Sequence, residues 1–234
     1  MTLANTLTEK LSAEGADLVA FANLSELPDD VRPVLTNAVL IGVALDPAII
    51  NGIRQGPTKA YYDLYNRVNS LLARLTQKGA GILREAGHEA TPIPPTVPKE
   101  KIVVETLAAD FSHKMAATRA GVGWVGKCAL VVTPEYGSAI RFATVLTDGP
   151  LPVGVPIDES QCGVCEECTK VCPGQAVSGK EWRAGMHRDA FFDAFGCVRG
   201  ILGHKTDFGY ICGMCIAVCP WTLRYLERHG AFSL

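Results

Sequence analysis

The sequence predicts an α+β protein, with an α/β domain over residues 1–150 followed by a smaller cysteine-rich domain over residues 151–234. Three observations predict it. Before residue 150, apolar runs of strand length alternate with stripes of helical period. The stretch Asp148–Ile157 (DGPLPVGVPI), rich in proline and glycine, interrupts that pattern and reads as a boundary. Eight of the nine cysteines fall beyond it.

The first domain opens with Leu3, Leu7 and Leu11 at four-residue spacing, a helical stripe closed by Gly15. Asp17–Ala22 (DLVAFA) and Ala38–Leu45 (AVLIGVAL) are strand-length apolar runs expected to be buried on both faces. Pro28 and Pro33 punctuate the connection between them. A long helix is expected from Pro57-Thr58, since proline is tolerated in a first turn whose N–H groups lack intrahelical partners. Tyr61, Leu64, Tyr65, Val68, Leu71, Leu72 and Leu75 form its apolar stripe, and Gly87 is the stop. The simplest place for Tyr61, Tyr62 and Tyr65 is the core or its edge.

Thr91–Pro98 (TPIPPTVP) reads as an extended loop, neither a helix nor a central strand, because proline fixes φ and lacks a donor. Ser112 is placed to cap a short helix ending at Gly121. In Gly121-Val-Gly-Trp-Val-Gly-Lys127 three glycines surround a tryptophan. That density lets backbone approach a bulky ligand or adopt positive φ, and by itself it fits a turn as well as a ligand cradle. It is not a nucleotide P-loop, which needs Ser or Thr after the lysine. Ala129–Thr133 and Ser138–Thr147 are expected to form a hairpin around Pro134-Glu-Tyr-Gly137.

The second domain is organised by Cys162-Gly-Val-Cys165-Glu-Glu-Cys168-Thr-Lys-Val-Cys172-Pro173. This is the C-x2-C-x2-C-x3-C-P spacing that wraps a [4Fe–4S] cube and hands its fourth thiolate to a neighbouring cluster. Three cysteines two residues apart curl around one cube, and the fourth lies a helical turn beyond, facing a second. The partner motif is Cys212-Gly-Met-Cys215-Ile-Ala-Val-Cys219-Pro220. Laid over the first, it lacks a counterpart of Cys162, which falls at Gly209, and Cys197 is the upstream candidate. The exchange rule assigns Cys162, Cys165, Cys168 and Cys219 to one cube and Cys172, Cys197, Cys212 and Cys215 to the other. Cys128 is left over. The domain is thus expected to be ferredoxin-like, with two [4Fe–4S] clusters. Zinc favours paired C-x2-C knuckles without the third cysteine or the Cys-Pro endings, and disulfide scaffolds suit short secreted chains. A helical stretch near His187–Phe195 is expected to feed Cys197, with Phe191, Phe192, Phe195 and Trp221 shielding the cubes from water and so tuning their potentials.

The net charge is −2, and from Asp158 onward eight Lys/Arg stand against nine Asp/Glu. That balance argues against a nucleic-acid partner. No apolar run is long enough to span a bilayer, and Met1–Leu11 lacks a signal-peptide pattern. Thiol-ligated clusters without an export signal point to a cytoplasmic location.

Ala120-Gly-Val-Gly-Trp-Val-Gly-Lys127, Thr133-Pro-Glu-Tyr-Gly-Ser138, Leu146-Thr-Asp148 and Cys212–Trp221 (CGMCIAVCPW) together resemble epoxyqueuosine reductases. In those proteins Gly-Trp-Ile-Gly-Lys and Pro-Glu-Phe-Gly-Ser segments precede the same cysteine framework and a closing Cys-Pro-Trp. Corrinoid reductive dehalogenases are more distant relatives of the same module. The resemblance covers most of the chain and is specific from about Ala120 to Trp221. It implies cobalamin held in the α/β domain, two clusters passing electrons to cobalt, and Gly121, Gly123, Trp124, Gly126 and Lys127 as the matching corrin contacts.

Three departures accompany the resemblance. The family's acidic proton donor lies in an Asp-Ser-Gly-like segment. Here the nearest acid, Asp110, is displaced by about three residues and reads equally as a loop or helix-start acid. The helical-repeat tail that the family carries after Cys-Pro-Trp, associated with gripping tRNA, has no counterpart in the residues from Thr222 to Leu234, so a short form is expected. Cys128 stands where the family has a polar residue, and a free cysteine is commonly a small buried hydrophobe.

Two functions from different classes fit these features. One is a cobalamin-dependent two-cluster reductase acting on a small molecule, supplied with electrons by an external low-potential donor of ferredoxin or flavodoxin type. Its proton would come from Asp110 or from a tyrosine of the Tyr61–Tyr65 segment such as Tyr62. The other is a ferredoxin-type electron carrier or maturation partner without substrate chemistry of its own. His113 and His187 are expected at the surface or at a helix end, and His204 beside the second cysteine motif.

Overall fold

The computed structural model describes residues 2–97 and 103–232; Pro98, the last residue of the expected proline-rich loop, lies outside them. In chain order the elements begin with α1 (Leu3–Ser12), β1 (Leu18–Asn23), β2 (Asn37–Ala44), α2 (Pro47–Asn51) and α3 (Lys59–Glu85). Then come β3 (Ala90–Ile93), α4 (His113–Arg119), β4 (Trp124–Val125), β5 (Val131–Val132) and β6 (Ile140–Thr147). Last are α5 (Glu167–Val171), a 3-10 turn (Arg188–Ala190), α6 (Ala194–Gly203), α7 (Met214–Ala217) and α8 (Pro220–Arg228). The mixture of helix and sheet is the expected one.

The chain forms two compact units and crosses between them repeatedly. Met1–Ala44, Val68–Val122 and Arg141–Ile157 make the first, and Leu45–Arg67, Gly123–Ile140 and Asp158–Leu234 the second. The boundary expected at residue 150 lies close to the last crossing, but the second unit also takes in two earlier segments. Their contribution is apolar mass: Ile53, Tyr61, Leu64, Trp124, Val125, Val131 and Val132 are all buried. The cysteine loops are poor in large apolar side chains, so the unit gathers its core from elsewhere.

The first unit holds a four-stranded sheet in the order β1-β2-β6-β3. Thr2 caps α1 by accepting from the Asn5 N–H at 3.2 Å, and Ala4, Leu7 and Leu11 turn inward. Strand β2 is buried along almost its whole length, as its apolar run requires. Strand β1 is not: only Ala22 is buried, because β1 lies at the sheet edge and pairs antiparallel with β2 alone. The other edge corrects the expected loop at residues 91–98, since Ala90–Ile93 pairs antiparallel with β6. Pro92 is tolerated there because an edge strand has one side without ladder partners.

The hairpin expected around Pro134–Gly137 does not form as a strand pair. Strand β5 pairs antiparallel with β4 instead, and of the expected hairpin only a bridge between Thr133 and Gly137 is present. Strand β6 is buried at every residue but Arg141, which suits a central position between β2 and β3. In the second unit the helix expected over His187–Phe195 starts later. The Asp193 carboxylate accepts the Gly196 N–H at 2.8 Å and caps α6, so Cys197 lies inside that helix rather than after it.

Candidate metal centre

The first cysteine motif winds through a short turn and the five-residue helix α5. Its first three cysteines, Cys162, Cys165 and Cys168, line a cavity of about 280 Å³ to which Cys219, Cys215 and Cys128 also contribute, with Lys127, Trp221 and Arg224 among the other lining residues. Cys219 arrives from the second motif, at the N-cap of α8. Burial pushes its thiol up, opposed by the Thr222 and Trp221 N–H groups directed at its sulfur. Those donors belong to the first turn of α8, where backbone N–H groups have no intrahelical acceptor.

The Cys172 and Cys212 thiols both act on Cys197, which burial and these two neighbours push up to about 11. Burial also raises Cys212, against the opposing hydrogen bonds of the Met214 and Gly213 N–H groups. The Ala176 N–H donates to Cys172 Sγ at 3.2 Å, and His204 Nε2 lies 3.3 Å from Cys212 Sγ. Cys215, which the spacing groups with these three, lines the first cavity and is in hydrogen-bond contact with buried Cys128; Cys128 also bonds Cys168.

Among the described residues no group of three or more His, Cys, Asp or Glu converges to hold a metal ion. A cube gives each of its four irons a separate thiolate, so its ligands stand around a volume rather than meeting at a point, as the four ligands of a zinc ion must. Cys162, Cys165, Cys168 and Cys219, spread around a cavity with the Trp221 and Thr222 N–H groups directed at the last of them, fit the first description. Raised thiols are neutral near pH 7, so their deprotonation must accompany metal binding.

Gly209, the position where a fourth cysteine of the second motif would fall, has φ +131, and a Cβ there would collide with the Tyr62 ring. A Cβ at Gly213 would meet Tyr61 and Ile53. Tyr62 also packs on Phe208, with ring centroids 5.9 Å apart. Tyr61 and Tyr62 therefore buttress the loop that presents Cys212, and their packing leaves Gly209 no room for a ligand side chain.

The five residues matched to corrin contacts are closely packed or hydrogen-bonded within the chain. A Cβ on Gly121 would strike the Val155 carbonyl, and one on Gly123 the Val132 carbonyl. One on Gly126 would crowd the Val132 side chain at 2.8 Å. Trp124 is fully buried, edge-on to Trp221 at 5.1 Å, and among the described residues its indole N–H meets no acceptor. The Lys127 ammonium donates to the carbonyls of Gly163 at 2.7 Å and Cys165 at 3.0 Å. Asp110 is exposed in the first unit, just before the N-cap position of α4.

The remaining candidates separate. Phe191 is buried against Val125 and Ala129 with Phe192 packed beside it, Trp221 reaches the cavity, and Phe195 is exposed. His187 is exposed at the 3-10 turn, whereas His113 is held inside the first unit by Thr144 Oγ1 at 2.8 Å and the Pro94 carbonyl at 3.0 Å. Sequence reading missed Arg224, whose guanidinium lies 4.6 Å from the Trp221 ring centroid. The signal was available, because residues three apart on a helix share a face.

No protein-family model matches the chain. An epoxyqueuosine reductase of Bacillus anthracis is 32% identical over an alignment of 132 residues that covers 51% of this chain and 31% of that protein. The chain thus spans about a third of the length of such curated relatives. A crystal structure of epoxyqueuosine reductase with an epoxyqueuosine-modified tRNA stem loop superposes with TM-score 0.63 at 21% identity, covering 94% of this chain and 65% of that one. A reductive dehalogenase structure bearing on B12-dependent dehalogenation gives TM-score 0.68 at 19% identity, covering 95% and 33%. The chain therefore resembles epoxyqueuosine reductases in sequence over half its length and shares its fold with them and with reductive dehalogenases.

Proposed function

We propose that the protein is an iron–sulfur reductase whose second unit is ferredoxin-like and carries two [4Fe–4S] clusters. The observation that carries this reading is the crossing of the two motifs. Cys219 joins Cys162, Cys165 and Cys168 at one cavity, while Cys172 leaves its own motif for the company of Cys197 and Cys212. Bound clusters supply one-electron transfer. The residues of the chain hold and tune them: thiolates ligate iron, backbone N–H groups donate to sulfur, and Trp221 with Arg224 covers the first site. Cys215 completes the second set once its side chain turns from Cys128. Electrons come from an external low-potential donor of ferredoxin or flavodoxin type.

A corrinoid as the reactive centre is supported by the resemblance and by the fold shared with a structure described for B12-dependent chemistry. Gly121, Gly123, Trp124, Gly126 and Lys127 are the contacts to be tested with it, and among the described residues the buried Trp124 indole N–H is left without an acceptor. The displaced acid, Asp110, exposed in the first unit, favours the second reading, an electron carrier without substrate chemistry. A small-molecule substrate rather than tRNA accords with the charge balance, and Asp110 and Tyr62 are the proton-donor candidates to be tested with it. Among the described residues no helix is long and apolar enough to cross a membrane.

Anoxic reconstitution with iron and sulfide should give about eight irons and eight sulfides per chain. Hydroxocobalamin retained stoichiometrically after desalting supports the reductase. Intact clusters without retained corrinoid support the carrier. Tightly held zinc, or half the iron, overturns the cluster assignment itself.

A further inference from the structure

Lysine is almost never buried unless its charge finds partners, because removing an ammonium from water is costly. Lys127 is only 5% exposed. Its hydrogen-bond acceptors are two main-chain carbonyls, those of Gly163 and Cys165, inside the loop that runs from Cys162 to Cys168. Carbonyls are neutral, so these bonds orient the ammonium without cancelling its charge. The same side chain lines the cavity bounded by Cys162, Cys165, Cys168 and Cys219. The other thiol group meets a different field. Its Cys197 lies on α6, whose N-cap is the carboxylate of Asp193, itself bonded to the Gly196 N–H at 2.8 Å and to Arg199 at 3.1 Å.

Resting on the two-cluster reading above, we infer that Lys127 is a positioning residue for the first centre. Its ammonium fastens the Cys162–Cys168 loop and sets a fixed positive charge beside that centre, making it the easier of the two to reduce. The physical basis is elementary. Reduction adds one negative charge to a cluster, and a nearby cation in a poorly screened site stabilises the reduced form more than the oxidised one. With both clusters bound, the centre held by Cys162, Cys165, Cys168 and Cys219 would then be the one reduced first. The reading also explains why Lys127 belongs to the glycine-rich segment: Gly126 beside it packs on Val132 and leaves no Cβ between the segment and the cysteine loop.

The test uses the full chain, reconstituted anoxically, with reductive titration followed by electron paramagnetic resonance. Cys197→Ala, which removes a ligand of the second centre, identifies the signal of the first. Lys127→Met should make that signal at least about tenfold harder to develop at a given potential, a downward shift of ~59 mV for a one-electron couple, while the other signal stays in place. Selective loss of the first cluster, with iron falling by half, supports the same role through the fastening of the loop. Lys127→Arg should keep both signals near their wild-type potentials. Unchanged titration of Lys127→Met, equal shifts of both signals, or loss of all iron would overturn the inference. A wild-type chain that assembles no clusters overturns this inference and the two-cluster reading together.

Discussion

The two cysteine loops share spacing and a Cys-Pro ending, yet they are held by different chemistry. The loop from Cys162 to Cys168 is fastened by polar bonds: Lys127 grips its carbonyls, and the Glu181 carboxylate accepts the Gly163 N–H at 2.7 Å. Its tip is open, with Val164 wholly exposed and free space around Gly163. The loop carrying Cys212 is held by shape, with Tyr61, Tyr62 and Ile53 pressed against Gly209 and Gly213. Ligand spacing is therefore one property and the means of holding a loop another. The second is drawn from whatever segment the fold brings alongside.

The largest effects should come from breaking each ligand set separately. Cys219→Ala and Cys197→Ala are each expected to lower iron from about eight to about four per chain, and each should abolish a different paramagnetic signal. Cys215→Ala sharpens the comparison, because this thiol lines the first cavity while its spacing groups it with the second set. The expected result is loss of the signal that Cys197→Ala also removes; loss of the other would reassign the residue.

A smaller effect should distinguish the two ways of holding a loop. Gly209→Ala forces a side chain into left-handed backbone and onto the Tyr62 ring, so it should cost on the order of 2–4 kcal/mol and weaken iron retention at the second site. Gly163→Ala, at φ +56 with nothing nearby, should cost only about 1–2 kcal/mol. Unfolding of the two reconstituted variants compares them directly, and equal losses would erase the proposed difference.

The smallest expected effect lies in the first unit and separates titration of the fold from titration of the thiols. Burial lowers His113 to about 4, helped by Arg141 and opposed by its bond to the Pro94 carbonyl. Because that carbonyl can only accept, Nε2 carries the proton and Nδ1 accepts from the Thr144 hydroxyl. Between about 4 and the unfolded value near 6.5 the unfolded chain binds the extra proton. The contribution of neutral His113 is thus complete above pH 6.5 and is lost as pH falls toward 4, at no more than ~1.4 kcal/mol per pH unit. His113→Gln should flatten stability over that window while leaving iron content unchanged. An unaltered slope would show that His113 is not its source.

Reading along the chain worked where a feature depends on nearby residues. The stripe of Leu3, Leu7 and Leu11 gave a helix, and the run from Ala38 gave a strand, because backbone periodicity alone decides which side chains share a face. Pairing partners were less legible. Strand β5 could close with either neighbour, and β6 was claimed by a sheet whose other members lie far away in sequence. The glycine-rich segment was legible only as a place of close backbone approach, since a glycine packed against a carbonyl and a glycine facing a ligand look alike in sequence.

By itself the sequence pointed to which cysteines could act together, because C-x2-C-x3-C-P, the closing part of the first motif, recurs at Cys212–Pro220. It also pointed upstream, to Cys197, for the proposed fourth ligand, since Gly209 carries no sulfur. Only the tertiary structure decided what surrounds those sulfurs: that Lys127 points at the first loop, that Tyr62 presses on the second, and that Cys128 sits between Cys168 and Cys215. The reason is physical. Thiol spacing is set by a few bond rotations, whereas charge, packing and burial at a site are sums over segments distant in the chain, and only the folded core brings those segments together.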